Sequence, residues 1–348
     1  MRTAARQGLA IYVVAMLVLA ASTPWVAAEP LFATPPAPTS LGAKAVAKLS
    51  HTIRTKYPLI RAVVVLRGDL PVLEYYRKGA DPNDRLPVHS VTKSVTSTLV
   101  GIALGQGSFS SLDQSLGELL PEALEPGVDT RVREITVRHL LTMSSGFDEA
   151  SIGAVSPSGL LWAWSLHRPL LDAPGRRFNY DNEASHLLSV LLTRTIKQDP
   201  TRFAHQYLFE PLGIENYNWP LDGDGNLRGS SGLSLTARDM AKIGSLYLRG
   251  GKWHGRQLVP KTYIAQASRV HNQGGPPVPR ADYGYLWWVT RPPGETAAYF
   301  ASGSGGQFIY VVPAADIVAA IAADDSYASG RVLINQVILP AVQMRTAR

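Results

Sequence analysis

Residues 86–107 read LPVHSVTKSVTSTLVGIALGQG, and the period of their apolar residues decides how the middle of the chain is read. Val91, Val95, Leu99 and Ile102 recur at helical spacing, and Gly105 and Gly107 end the run. With Ser90 at the start of this helix, Lys93 falls one turn on and on the same face. A serine hydroxyl is inert near neutral pH and needs a base beside it. Lysine serves as that base only where burial or a neighbouring cation lowers its pKa. The helix N-terminus adds partial positive charge where negative charge would develop at Ser90. Taken alone, these four residues fit equally well an N-cap serine followed by a solvent-facing lysine.

On the N-terminal side of this segment, Arg61 to Leu66 (RAVVVL), the turn Arg67-Gly68-Asp69 and Leu70 to Tyr76 (LPVLEYY) predict a β-hairpin. A helix is expected before it, over Leu41 to Arg54. On the C-terminal side, residues 134–250 are mostly helical in pattern, and Thr236-Ala-Arg-Asp239 resembles a capping box opening a helix that runs to Arg249-Gly250. Pro276 to Pro279 reads as a loop. Strands are then expected at Tyr285–Thr290, Ala297–Ala301, Gln307–Val312 and Ile317–Ala323, with a closing helix at Leu333–Val342. Strands at both ends with helices between them predict an α+β fold. Its antiparallel sheet is built from both termini and flanked by helices, with a helical insertion over about residues 108–250.

Several ordered segments resemble the serine β-lactamase and penicillin-binding protein superfamily. Leu86 to Gly107 is similar to its nucleophile helix, which carries S-x-x-K at the start, here Ser90 to Lys93. A Y-x-N element follows as Tyr180-Asp181-Asn182, behind Pro174-Gly175-Arg176-Arg177-Phe178 and before the helical run Glu183 to Ile196. Ile135 to Phe147 and Leu233 to Gly251 extend the similarity, which spans about residues 60–325. The arrangement looks like that of class C enzymes and DD-peptidases. It implies a β-lactamase/transpeptidase-like fold, acyl transfer through Ser90, Lys93 and Tyr180 as coupled proton carriers, and Asn182 orienting Lys93.

The third element of the superfamily, K-T-G or H-x-G on a sheet strand, is altered here. Its counterpart is Ala301-Ser302-Gly303-Ser304, followed by Gly305-Gly306-Gln307. The first position carries no basic side chain to bind a substrate carboxylate, whereas an oxyanion donor needs only a backbone N–H. The resemblance then points to the strand Ser302, Gly303 and Ser304 as the substrate edge, with the N–H groups of Ser90 and Ser304 as the oxyanion donors. The A-x-G-x-GGQ form is similar to the branch of 6-aminohexanoate-dimer hydrolases and related esterases. The expected substrate is a small ester, amide or peptide-like molecule. A β-lactamase or D-Ala-D-Ala carboxypeptidase is the alternative, and a catalytically weak cell-wall binding or sensor protein is a third reading.

The N-terminus resembles an export signal over residues 1–28. Arg2 and Arg6 make the positive region, Leu9 to Ala21 the apolar core, and Val26-Ala27-Ala28 the small residues before Glu29. The apolar run is shorter than the roughly 20 residues of a spanning helix, with an uncleaved signal anchor as the alternative. Residues 29–40 (EPLFATPPAPTS) read as a Pro-rich linker, which leaves 41–348 as the hydrolase domain of an exported, periplasmic or secreted protein. The chain has no cysteine, so thiol catalysis, lipoprotein anchoring and cysteine-ligated metals are excluded. Its formal charge of +7 is scattered rather than blocked, giving nucleic-acid binding little support.

None of the eight histidines forms H-E-x-x-H or another close metal pair. G-x-S-x-G and the phosphate-binding G-x-x-x-x-G-K-[ST] are also absent. No cofactor or metal is implied, and the oligomeric state is left open. His89, next to the nucleophile, is expected to pack into a turn. Trp162, Trp164, Trp287 and Trp288 are expected in the core, with an apolar substrate cleft as the alternative.

Overall fold

A computed structural model describes residues 41–149, 161–291, 296–324 and 327–343. The signal and linker readings lie outside them. A seven-stranded, wholly antiparallel sheet forms the frame. Its strands are β1 (Ile60–Arg67), β2 (Leu70–Tyr76), β3 (Ala281–Tyr283), β4 (Trp288–Thr290), β5 (Tyr299–Gly303), β6 (Gln307–Val312) and β7 (Ile317–Ala323). Their spatial order is β2-β1-β7-β6-β5-β4-β3. The first strand and the last are therefore neighbours, with Val63 opposite Ile321 and Val65 opposite Ala319.

Among the described residues, four helices of a dozen residues or more accompany the sheet: α1 (Gly42–Lys56), α2 (Val91–Gly105), α3 (Asn182–Thr195) and α4 (Ala237–Leu248). Helix α4 lies against β1, β6 and β7. Its contact needs a glycine, since a Cβ on Gly244 would stand 2.5 Å from Val318 and 2.9 Å from Ile309. On the opposite face, the C-terminal helix Tyr327–Leu333 brings Gly330 against Phe308. Adjacent strand residues point to opposite faces, so Phe308 and Ile309 read out two covered faces. That is why β6 and β7 are apolar without alternation and buried throughout.

Helix α2 runs through the middle of the molecule and is buried on every side from Val91 to Ala103. A helix so placed must satisfy its polar side chains internally. Ser94 Oγ donates to Leu286 O at 2.6 Å and Thr96 Oγ1 to Gly229 O at 2.9 Å, while Ser97 Oγ and Tyr263 Oη lie 2.9 Å apart. These bonds fix the rotation of α2, and with it the direction in which Ser90 and Lys93 point.

Two expectations shift, and one strand was not expected. The strand expected at Tyr285–Thr290 is cut back to Trp288–Thr290, because Leu286 takes a positive φ of 57°. There its N–H donates to Leu141 O and its carbonyl receives Ser94 Oγ. The strand Ala281–Tyr283 was masked by polar neighbours. The described residues of 108–181 hold only short helices such as Leu116–Leu119 and Val137–Leu141, with 3-10 turns. Pro121, Pro126, Gly127, Gly146 and Pro174 interrupt the apolar pattern too often for longer ones. No helix among the described residues is long and apolar enough to cross a membrane.

Candidate active site

Ser90 stands at the N-terminus of α2 with φ −70° and ψ −6°. It is held by the preceding turn, in which Val91 N–H donates to Val88 O and Thr92 Oγ1 to His89 O at 2.6 Å. His89 takes a positive φ of 48° and is exposed beside the nucleophile, not packed into the turn as expected. Such backbone conformations are costly for a non-glycine residue and persist where the surroundings impose them.

Lys93 is 1% exposed. Its Nζ lies 3.1 Å from Ser90 Oγ, 2.8 Å from Asn182 Oδ1 and 2.8 Å from Ser230 O. Asn182 Oδ1 and the Ser230 carbonyl can only accept. A neutral amine has two N–H groups and one lone pair, so the two acceptors take the hydrogens and the lone pair is left for the Ser90 hydroxyl. Burial lowers the Lys93 pKa from 10.5 to about 7, opposed by the carboxylates of Asp181, Glu149 and Glu183. The neutral, basic form is thereby accessible near pH 7.

Asn182 opens α3, and Asp181 before it caps that helix by accepting from the N–H groups of Glu183 and Ala184 at 2.9 and 3.1 Å. Asp181 is itself wholly buried against Arg168. Tyr180 is half-buried, with its ring stacked on Trp288 at 5.9 Å and 19° and its ring centroid 5.0 Å from Lys93 Nζ. Trp162, Trp287 and Trp288 are core residues and Trp164 is half-buried. Trp288, however, also frames the site from beneath Tyr180.

Strand β5 closes the other side. A Cβ on Gly303 would lie 2.3 Å from Val88 O and 3.2 Å from Ser90 N, so the strand backbone passes directly against the nucleophile turn. Ser304 follows it, exposed, on a turn in which Gly305 and Gly306 have φ of 80° and 82°. Gln307 ties that turn down by donating to Ala323 O at 2.6 Å. Alternation turns the Ser302 side chain to the far face, opposite Phe308. Its Oγ is buried without a hydrogen-bond partner among the described residues.

A cleft of about 270 Å³ is lined by Phe147, Asp148, Glu149, Asp172, Arg177 and Asn179, among others, and reaches the residues just before Tyr180. Ser230 was missed in the sequence because it acts through its carbonyl. Arg168 and Asp181 were missed because nothing local distinguishes a buried ion pair from a surface one. Trp288, expected in the core with a substrate cleft as the alternative, is buried and also borders the site through Tyr180.

The β-lactamase family model matches residues 54–343. The chain is 26% identical over 284 residues to the 6-aminohexanoate-dimer hydrolase of Paenarthrobacter ureafaciens, covering 74% of this chain and 70% of that one. The octameric penicillin-binding protein homologue from Pyrococcus abyssi superposes with a TM-score of 0.65 at 18% identity, over 86% of this chain and 77% of that one. EstCE1, described as a hydrolase with promiscuous acyltransferase activity, superposes with a TM-score of 0.70 at 19% identity, over 87% and 98%. The chain thus belongs to the β-lactamase family, as a serine hydrolase of the superfamily that also holds the penicillin-binding proteins.

Proposed function

We infer that the protein cleaves a small ester or amide through an acyl-enzyme on Ser90. The observation that carries this reading is the buried Lys93 amine, held by two acceptors with its lone pair facing Ser90 Oγ at 3.1 Å. Ser90 Oγ attacks the carbonyl carbon while its proton passes to Lys93 Nζ. Tyr180 relays a proton to the departing oxygen or nitrogen, and the backbone N–H groups of Ser90 and Ser304 receive the oxyanion. One such donor is worth about 100- to 1000-fold in rate. Water then releases the acyl group from Ser90, with the proton returning by the same carriers.

The substrate edge supports esters and amides over carboxylate-bearing β-lactams and D-Ala-D-Ala peptides. Ala301 stands where the superfamily has a basic residue. Three carboxylates and one guanidinium also line the neighbouring cleft, an environment that repels an anionic substrate. The relative from Paenarthrobacter ureafaciens, named for an amide dimer, supports the same reading. The N-terminal pattern of Arg2, Arg6 and the apolar run Leu9 to Ala21 supports export to the periplasm or beyond.

Intact-mass spectrometry after exposure to a fluorophosphonate tests the nucleophile. A single adduct on the wild type that disappears in Ser90→Ala is the expected result. An adduct that persists in Ser90→Ala, or no adduct at all, would overturn the reading. Turnover of nitrophenyl esters and aminoacyl amides is expected to exceed that of a chromogenic cephalosporin, and the reverse ranking would favour a β-lactamase.

A further inference from the structure

The Ser230 carbonyl that holds Lys93 is a backbone group on a loop, so something must hold the loop. Gly229, the residue before it, is gripped from two sides. Gly229 O accepts from Thr96 Oγ1 of α2 at 2.9 Å, and Gly229 N–H donates to His186 Nδ1 of α3 at 3.2 Å. The loop lies close on α3, since a Cβ on Gly229 would stand 2.8 Å from Ser189 Cβ and 3.1 Å from Ser185 O. His186 is 9% exposed, and its other nitrogen, Nε2, lies 2.9 Å from Asp222 Oδ2. Asp222 is in turn fixed by Asn226 Nδ2 at 3.0 Å and by the N–H groups of Asp224 and Asn226.

The hydrogen bonds set the tautomer. Nδ1 must be the acceptor toward Gly229, so Nε2 carries the hydrogen and donates to Asp222. His186 also lies four residues after Asn182, one turn along the same face of α3. Both acceptors that orient the Lys93 amine are therefore referenced to one helix, Asn182 directly and Ser230 through His186.

We propose that His186, oriented by Asp222, is a positioning residue for Lys93, acting through the backbone of Gly229 that leads into Ser230. It touches neither substrate nor Ser90. Its effect is to keep the Ser230 carbonyl 2.8 Å from Nζ, so that the amine lone pair stays on Ser90. The inference rests on the acyl-enzyme reading above. Misplacing a base by about 1 Å costs on the order of 100-fold, which sets the scale of the effect.

Two substitutions separate the two contacts of the imidazole. His186→Asn keeps an acceptor where Nδ1 was and loses the reach to Asp222. His186→Gln keeps a donor where Nε2 was and loses the acceptor for Gly229. Fluorophosphonate labelling rate at Ser90, kcat and KM on a nitrophenyl ester, and thermal melting are measured for both. His186→Gln is expected to slow labelling and kcat by about 10- to 100-fold with little change in KM, while His186→Asn recovers the greater part of that loss. A labelling rate in His186→Gln equal to wild type, or equal losses in both variants, would overturn the proposal. If His186→Gln fails to fold, Asp222→Asn takes its place, with a smaller kcat-selective loss expected, matching that of His186→Asn, and a wild-type rate decisive against it. An unlabelled wild type would instead overturn the acyl-enzyme reading, and the inference with it.

Discussion

The Arg168 guanidinium donates to the Asp181 carboxylate at 2.8 Å with both side chains wholly buried. Asp181 sits between Tyr180 and Asn182 and caps the helix that carries Asn182, so this ion pair fixes the segment bearing two of the proposed catalytic groups. Arg168 also stacks 4.5 Å from the Phe147 ring centroid and donates Nε–H to Ser165 O at 3.0 Å. Removing one partner of a buried pair leaves an uncompensated charge. Arg168→Met is expected to lower stability by about 3–5 kcal/mol in urea denaturation. The double variant with Asp181→Asn should recover much of it, because the two sites share one interaction. A loss below about 1 kcal/mol would mean that the pair does not hold the segment.

Lys93 sets the pH dependence. Its pKa is about 7 in the folded protein against 10.5 in an ordinary lysine, and only the neutral amine accepts the Ser90 proton. The ratio kcat/KM should rise with pH through about 7 with the slope of one proton. Lys93→Ala should lose several orders of magnitude of it. A flat profile between about pH 5 and 9 would place the base elsewhere.

The same shift acts on stability. Between pH 7 and 10.5 the unfolded chain holds a proton that folded Lys93 has released, so this residue makes stability rise with pH across that window. Below it both states are protonated and the full penalty of the buried ammonium is present. Lys93→Met is expected to be inactive yet more stable than the wild type. The gain should be largest below pH 7 and fade toward pH 10.5, as read from melting curves across pH. A variant less stable at every pH would contradict this.

Gly303 has no room for a side chain toward Val88 O and Ser90 N. Gly303→Ala should push β5 away from the nucleophile, costing about 1–3 kcal/mol of stability and at least about 100-fold in kcat/KM. Calorimetry and ester kinetics check the two effects, and a near-native kcat/KM would show that the strand edge does not serve the reaction.

Tyr180→Phe keeps the stack on Trp288 and removes only the hydroxyl. Turnover is expected to fall by about 100- to 10,000-fold, the range of a positioned proton carrier, with melting temperature nearly unchanged. Retained turnover would remove Tyr180 from the mechanism.

What could be read from the sequence divides by range. The apolar runs of β1, β2, β6 and β7 and the period of α2 are local signals and appear where expected, because each element buries the pattern it carries. Thr236 caps α4 as its spacing with Asp239 implied, its Oγ1 accepting from the Asp239 N–H at 3.1 Å. Strand β5 begins at Tyr299 instead of Ala297, its start being set by its pairing with β4 and not by composition. In the site, Ser90, Lys93 and Asn182 meet as the motifs implied. The Ser230 carbonyl, the Arg168–Asp181 pair and the His186–Asp222 contact were not legible. Each joins residues distant in the chain, and the first works through a backbone group that carries no side-chain signature.

The adjacency of β1 and β7 in the sheet has a bearing on how the protein is made. One edge of β1 bonds only to β7, so a nascent chain halted between Arg67 and Ile317 carries a largely apolar strand with an open edge, a species prone to aggregate. The sheet closes only after its last strand has left the ribosome.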